Sequence, residues 1–150
     1  MVRLGIGLYG VGSEKKESKK LQFTMRMRTI VSQVKTIAKG ETIGYGRKGK
    51  AEQEIQIAIL PIGYADGFSR MLGNGIGKVK INEKWFSTIG NVCMDMIMVD
   101  VTGGNVNEGD LAIIFDDQES LKEMADGMET ISYEVLTSVS PRVKRVYFKE

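Results

Sequence analysis

The sequence predicts one mainly β domain, a closed or nearly closed β-barrel of about seven or eight short strands with two short helices near its C-terminus. Eighteen glycines against two prolines indicate many tight turns and therefore short strands. Short apolar runs recur between turn signals along most of the chain, a pattern typical of small barrels. At 150 residues the chain is long enough for one domain with a substantial core and too short for two.

The strands are expected where apolar residues alternate or run together between turn residues. Residues 23–37 alternate apolar and polar side chains, which predicts one long half-buried strand that bends where the alternation slips near Ile30. The pair Asn82-Glu83 follows a short apolar strand and predicts a turn toward Trp85. Further short strands are expected at 55–62, 78–81, 96–101 and 111–115.

The end of the chain has helical rather than β periodicity. Apolar residues at 121, 124, 125 and 128 have helical spacing behind Ser120, which predicts one helix. Thr130 or Ser132 can cap a second short helix that Pro141 ends. Residues 143–148 are expected to return as a closing strand.

Charge and cysteine content exclude several classes of function. Lys and Arg number 21 and Asp and Glu 19, far from the basic excess of a dedicated nucleic-acid binder. A single Cys93 rules out an internal disulfide and a multi-cysteine metal site, and no histidine is present. We therefore expect no metal, and chemistry that relies on other side chains or on a bound cofactor. Without a signal-peptide pattern or a run of about 18 apolar residues, we expect no membrane contact and a cytoplasmic location.

The glycine-rich start of the chain formally matches a dinucleotide-binding fingerprint. Residues 5–10 read GIGLYG, but no helix pattern follows and no acid lies about 20 residues further on, so a dinucleotide fold is rejected. A short glycine-rich backbone can still donate N–H groups to a phosphate. Phosphate binding is the interpretation that remains.

Two tyrosines and one loop stand out as candidates for a binding site. Tyr45 lies between two glycines and Tyr64 directly follows one, so each ring can approach a ligand closely, although turn packing is the ordinary explanation. Cys93 and Asp95 lie where a loop enters the strand predicted at 96–101, a usual place for binding chemistry, although Asp95 can also simply cap a turn.

Five stretches, read in order, resemble one enzyme family. GIGLYG, IGYG, PIGYADGFSR, GNVCMDMIMVD and SYEVLTSVSPRVKRVY look like the C-terminal domain of alanine racemase, a pyridoxal 5'-phosphate enzyme that makes D-alanine for bacterial peptidoglycan. The resemblance implies a two-domain subunit with an N-terminal (β/α)8 barrel, which carries the cofactor-binding lysine, and a C-terminal β-barrel. Residues 1–12 would be a remnant of the end of the first barrel and residues 13–150 the C-terminal domain. In some bacteria the enzyme is fused to a cell-wall ligase, so the parent chain can be longer still.

The resemblance assigns four residues to the substrate. Tyr45 matches the catalytic tyrosine that removes the α-proton of L-alanine. Met94 matches the residue whose backbone N–H binds the substrate carboxylate, and Tyr64 and Asp95 match residues of the entrance corridor. In the family these residues serve the active site of the partner subunit, which implies a homodimer.

Four further residues are assigned to the cofactor of their own subunit. Arg3 matches the arginine that hydrogen-bonds the pyridine nitrogen, which tunes the electron demand of the cofactor. Gly5 and Ile6 match the backbone that holds the phosphate, and Tyr133 matches a tyrosine whose hydroxyl reaches it.

The implied chemistry agrees with the residues present. Racemisation needs a base on each face of the α-carbon, and a lysine and a tyrosine suffice if both pKa values near 10 are lowered toward neutrality, so no histidine is required. None of the lysines here lies in the cofactor-lysine motif, which belongs to the missing barrel. Residues 1–150 alone are therefore expected to be inactive.

Three alternatives remain open from the sequence. A small β-barrel module that binds nucleic acid would use the lysines of residues 15–20, although no aromatic residue interleaves with them. A related pyridoxal-phosphate decarboxylase of basic amino acids would keep the fold, but the paired GYG and GYADG tyrosines favour the racemase. A racemase of serine or another amino acid is the third, because the side-chain pocket is shared with the missing domain.

Overall fold

The computed structural model describes residues 5–12 and 14–148, without the side chain of Lys15. Its fold is mainly β with three helices. The strands are β1 (Met27–Ile30), β2 (Gln33–Ile37), β3 (Thr42–Ile43), β4 (Gly49–Lys50), β5 (Ile55–Leu60), β6 (Lys78–Ile81), β7 (Lys84–Ser87), β8 (Ile97–Asp100) and β9 (Leu111–Phe115). The helices are α1 (Lys15–Ser18), α2 (Gln118–Gly127) and α3 (Ser132–Ser138), and 3-10 turns cover Ile6–Tyr9, Tyr45–Arg47, Tyr64–Asp66 and Arg70–Leu72.

The strands pair into three antiparallel sheets. Their orders are β1-β9-β6-β7, β2-β5-β8 and β3-β4. An isolated bridge between Thr88 and Val99 joins the end of β7 to β8 and so links the two larger sheets. The turn predicted at Asn82-Glu83 is confirmed and joins β6 and β7 into a hairpin, and both of these residues have the positive φ that a tight hairpin turn requires (49° and 62°).

The long strand predicted over residues 23–37 is wrong, because the chain changes sheets in the middle of it. β1 pairs with β9 and β2 pairs with β5. At the break the N–H of Val31 donates to Asp110 O (2.9 Å) and the N–H of Ser32 to Ile59 O (2.9 Å). Each residue thus bonds a different sheet, and the buried Val31 lies in the core between them.

The main core lies between the two larger sheets and the C-terminal helices. Its fully buried side chains include Leu60, Val79, Ile81, Phe115 and Leu121. A second, smaller cluster lies beneath β3 and β4 and consists of Ile43, Ala51, Ile55, Ile57, Cys93 and Met98. This smaller cluster supports the loops described below.

The two predicted helices are present, but α2 begins earlier than expected. Asp117 rather than Ser120 is its N-cap: Asp117 Oδ1 accepts from the N–H of Ser120 (2.7 Å), and Ser120 Oγ accepts in return from the N–H of Asp117 (3.2 Å). The closing strand predicted at 143–148 is wrong. Residues 144–148 are irregular and exposed, and no described strand pairs with them.

No helix within residues 5–12 and 14–148 has the length and apolar character needed to cross a membrane.

Candidate functional site

Tyr45 projects from a narrow turn between β3 and β4. The glycines on either side, Gly44 and Gly46, have φ of 74° and 70°, a region that costs other residues about 1–2 kcal/mol. Pairing of β3 with β4 brings the two ends of the turn together, and the Tyr45 side chain is 74% exposed. The backbone thus presents the phenol ring outward, where a ligand can reach it.

Asn91 holds the Tyr45 turn from the neighbouring loop. Its Nδ2 donates to Tyr45 O at 2.9 Å, and its Oδ1 accepts from Asn74 Nδ2 at 3.1 Å. The N–H of Asn74 in turn donates to Gly90 O at 2.8 Å. The predicted tyrosine is therefore connected to the GNVCMD stretch through an asparagine that the sequence reasoning did not single out.

Tyr64 lies in a turn that docks on the backbone of residues 93–94. The N–H of Tyr64 donates to Cys93 O and the N–H of Ala65 to Met94 O, both at 3.1 Å. A Cβ placed on Gly63 would lie 2.3 Å from each of these two carbonyl oxygens, so only glycine allows this approach. The guanidinium of Arg70 lies 5.8 Å from the centre of the Tyr64 ring, within the range of a cation–π contact.

Met94 and Asp95 form the exposed tip of a tight turn before β8. The N–H of Cys93 donates to Met96 O at 3.0 Å and closes this turn. Cys93 points into the smaller core cluster, whereas the Met94 side chain is 51% exposed and Asp95 is exposed. The turn therefore has a buried anchor and a tip open to a ligand.

An arginine near the C-terminus joins the Tyr64 turn to the Asp95 turn. Arg142 donates from Nε to Asp66 Oδ1 (2.7 Å) and from Nη2 to Asp95 Oδ1 (2.6 Å). These hydrogen bonds, to Asp66 first and Asp95 second, raise the pKa of Arg142 above its ordinary value. Asp66 Oδ2 also accepts from the N–H of Gly63 (2.8 Å), so the carboxylate that Arg142 holds is itself part of the turn.

The predicted phosphate residues form a second group. Gly5 lies against Tyr133, because a Cβ on Gly5 would be 3.1 Å from the Tyr133 hydroxyl oxygen. Gly5, Ile6, Lys20 and Tyr133 line one open depression of about 520 Å³. Arg3, the predicted partner of the pyridine nitrogen, lies outside the described residues.

Gln118, at the start of α2, donates hydrogen bonds to backbone carbonyls of the glycine-rich segment and of the residues that follow it. Its Nε2 donates to Gly10 O (2.5 Å) and Ser18 O (2.9 Å), and also approaches Leu21 O (3.4 Å). Nothing in the sequence pattern marked Gln118, because its acceptors lie about 100 residues earlier in the chain.

The two groups lie at opposite ends of α3. Tyr133 is on its first turn, and Ser138 ends it with a carbonyl oxygen 2.9 Å from where a Cβ of Gly67 would be, beside the Tyr64 turn. At a rise of 1.5 Å per residue, the five steps from Tyr133 to Ser138 span about 7.5 Å of helix axis. The structure therefore gathers the predicted substrate residues on one scaffold and the described phosphate residues on another.

Comparison with known proteins assigns the chain to a family. The sequence family described as "Alanine racemase, C-terminal domain" matches residues 24–147, most of the chain.

The chain belongs to the alanine racemase C-terminal domain family.

Individual members of the alanine racemase family match nearly the whole chain. An alanine racemase from Clostridium perfringens strain SM101 is 44% identical over 156 residues, which cover 99% of this chain and 40% of that protein. An alanine racemase from Clostridium novyi is 41% identical, with coverage of 99% and 40%. This chain thus spans about two fifths of the length of these relatives.

Solved structures of the alanine racemase family share the fold. The enzyme from Streptomyces coelicolor superimposes with a TM-score of 0.90 at 30% identity, over 99% of this chain and 41% of that one. The enzyme from Bartonella henselae, whose structure holds covalently bound pyridoxal phosphate, gives a TM-score of 0.86 at 31% identity, over 95% and 40%.

Proposed function

We propose that this chain is the C-terminal domain of a pyridoxal-phosphate-dependent alanine racemase, an isomerase that interconverts L- and D-alanine. Residues 1–12 would be the end of the N-terminal cofactor barrel, and residues 13–150 the C-terminal domain. The observation that carries the proposal is the connected loop scaffold. Tyr45, Tyr64 and the 93–95 turn come from three separate parts of the chain and are tied together by hydrogen bonds through Asn91 and Cys93.

Tyr45 is the proton acceptor for L-alanine in this proposal. Its ring is exposed on a turn with little side-chain packing, as a group that must reach a substrate in another domain requires. A lysine of the N-terminal barrel acts from the opposite face of the α-carbon. The Met94 N–H receives the substrate carboxylate, and Tyr64 and Asp95 line the corridor to it.

The described residues fit the phosphate of the cofactor. Glycine at position 5 leaves its backbone uncovered beside the Tyr133 hydroxyl, and the described residues that line the depression include one cationic side chain, Lys20, and one acidic side chain, Glu17. The backbone at Gly5 and Ile6 and the Tyr133 hydroxyl would hold the phosphate there, and Arg3 would hydrogen-bond the pyridine nitrogen, as the resemblance implies. Pyridoxal phosphate, when bound, withdraws electrons and so acidifies the α-proton of the substrate.

The proposal extends to the oligomeric state of the protein and to its place in the cell. The Tyr45 group and the Tyr133 group would serve different subunits, as the resemblance to the family implies, in a homodimer in which each subunit completes the site of the other. We further propose that the sheets together form the family's small β-barrel, and that the protein works in the cytoplasm, where it supplies D-alanine for peptidoglycan.

The test is racemisation of L-alanine by the full-length parent, the longer polypeptide in which this chain follows its cofactor barrel. With pyridoxal phosphate added, D-alanine should form, and residues 1–150 alone should form none because the cofactor-binding lysine is absent. L-Serine and L-lysine are assayed in parallel. A clear preference for serine would mean that the enzyme is a racemase of another amino acid. Decarboxylation of lysine would contradict the isomerase assignment.

A further inference from the structure

The Tyr45 turn is held by few side-chain contacts. It lies between two glycines of positive φ, and the phenol side chain is 74% exposed. Within the described chain, one side chain donates a hydrogen bond to it, Asn91 Nδ2 to Tyr45 O at 2.9 Å. Beyond the pairing of β3 with β4, the position of the turn therefore depends on what holds Asn91.

The Asn91 amide is held in one orientation by its neighbours. Its Oδ1 accepts from Asn74 Nδ2 (3.1 Å), which leaves Nδ2 to face Tyr45 O, since an amide has only one acceptor side. The N–H of Asn74 donates to Gly90 O (2.8 Å), so the residue that orients Asn91 is bonded to the same loop.

Close backbone packing fixes the loop that carries Asn91. Gly90 has a φ of 71°, and a Cβ on it would lie 2.8 Å from Ile43 O. A Cβ on Gly44, directly before Tyr45, would lie 2.9 Å from Met98 Cε and 3.5 Å from the N atom of Asn91. The loop is thus packed directly against the β3–β4 turn, and Asn91 is the polar contact across this junction.

We propose that Asn91, oriented by Asn74, is the positioning residue for Tyr45 as proton acceptor. The inference rests on the proposed function and adds to it the residue that sets the reach of this base. Asn91 touches neither substrate nor cofactor in this proposal, and it acts through the Tyr45 backbone. Its loss weakens proton removal on the face of the α-carbon served by Tyr45 and spares the face served by the lysine.

The test measures α-proton exchange of each enantiomer of alanine in deuterated water, using the full-length parent with pyridoxal phosphate. Exchange from L-alanine reports Tyr45, and exchange from D-alanine with retained configuration reports the lysine. Asn91→Ala should lower the first rate about 3–10-fold, the factor that corresponds to one neutral hydrogen bond, and change the second less than about 2-fold. Asn74→Ala should act in the same direction with a smaller effect. The control is Asn105→Ala, an exposed asparagine in the turn between β8 and β9, which should leave both rates unchanged.

A second measurement separates positioning from general damage. If Asn91 acts through Tyr45, then Asn91→Ala added to Tyr45→Phe should lower L-alanine exchange no further. Equal loss of both exchange rates in Asn91→Ala, or additive loss in the double variant, overturns the inference, as does an unchanged L-alanine rate. Absence of exchange with either enantiomer in the unaltered parent would instead overturn the proposed function.

Discussion

Replacement of Gly63 by alanine should disturb both stability and activity, because of one close backbone contact. The added Cβ would lie 2.3 Å from Cys93 O and from Met94 O, whereas ordinary contact begins at 3.4 Å, a shortfall of about 1.1 Å. The atoms in the way are backbone, so no side-chain rotation relieves the clash. The φ of Gly63 is −150°, which alanine tolerates, so the effect is steric and not conformational.

The magnitude follows from that shortfall. Overpacking in a tight site costs about 1–3 kcal/mol, and we expect the upper half of this range because two carbonyl oxygens and a carbonyl carbon are crowded at once. If the 93–95 turn moves by about 1 Å, the Met94 N–H moves with it, and misplacement on this scale costs on the order of 10²-fold in rate. Urea unfolding should therefore show a lower midpoint, and kcat/KM of the parent for alanine should fall about 100-fold.

Gly103→Ala is the matched control. Gly103 has a φ of 73° with nothing within 4 Å of the added Cβ, so alanine there introduces strain of about 1–2 kcal/mol without a clash. It should lower stability and leave activity intact. Activity of the Gly63→Ala parent within about 3-fold of the unaltered protein would refute the placement of the 63–65 backbone against the 93–95 turn.

Two further predictions concern charged groups. Arg142→Gln should speed hydrogen exchange of the amides at 63–65 by about 2–5-fold, a small factor because an exposed ion pair contributes little to stability. The increase should be smaller in about 0.5 M salt, because salt screens the ion pair. Equal exchange rates in the two proteins would mean that the bridge does not hold this turn. Asp117→Ala should lower the free energy of unfolding by about 1 kcal/mol at pH 7 through loss of the α2 cap. Burial raises the pKa of Asp117, but hydrogen bonds from Ser120 outweigh it and hold the pKa below 3.8, so the cap is fully effective above that pH and is lost as the pH falls through the lowered value. Urea unfolding at pH 7 and near pH 2 should show the difference between the two proteins shrink, and a constant difference would contradict the charge-based cap.

Local patterns predicted the parts of the fold that depend on neighbouring residues. β9 was predicted with its observed bounds, because a compact apolar run lies between clear turns. The turn at Asn82-Glu83 and both C-terminal helices also follow from residues close in the sequence.

The break between β1 and β2 could not be predicted in this way. It depends on hydrogen bonds to Asp110, directly before β9, and to Ile59 in β5, both of which lie far along the chain. In residues 143–148 the local pattern predicted a strand that the tertiary structure does not form. Their alternation fits a strand, yet none of the described strands pairs with them, and Tyr147 is 90% exposed.

The candidate site shows the same difference between what neighbouring residues predict and what only the tertiary structure reveals. Tyr45, Tyr64, Met94 and Asp95 were predicted by resemblance to a family, since each is recognisable in its own short motif. The residues that hold them in place were not. Asn91 acts on a backbone 46 residues away, and Arg142 bonds carboxylates 47 and 76 residues away, so only the tertiary structure reveals their roles.

The most direct test of the central claim is α-proton exchange of L-alanine in deuterated water, with the full-length parent carrying either Tyr45 or Tyr45→Phe. If Tyr45 is the base, the phenylalanine variant should lose exchange by about 10²–10⁴-fold while pyridoxal phosphate stays bound. If the parent exchanges and the variant matches it, Tyr45 is a structural residue and the assignment of this loop scaffold to catalysis is wrong.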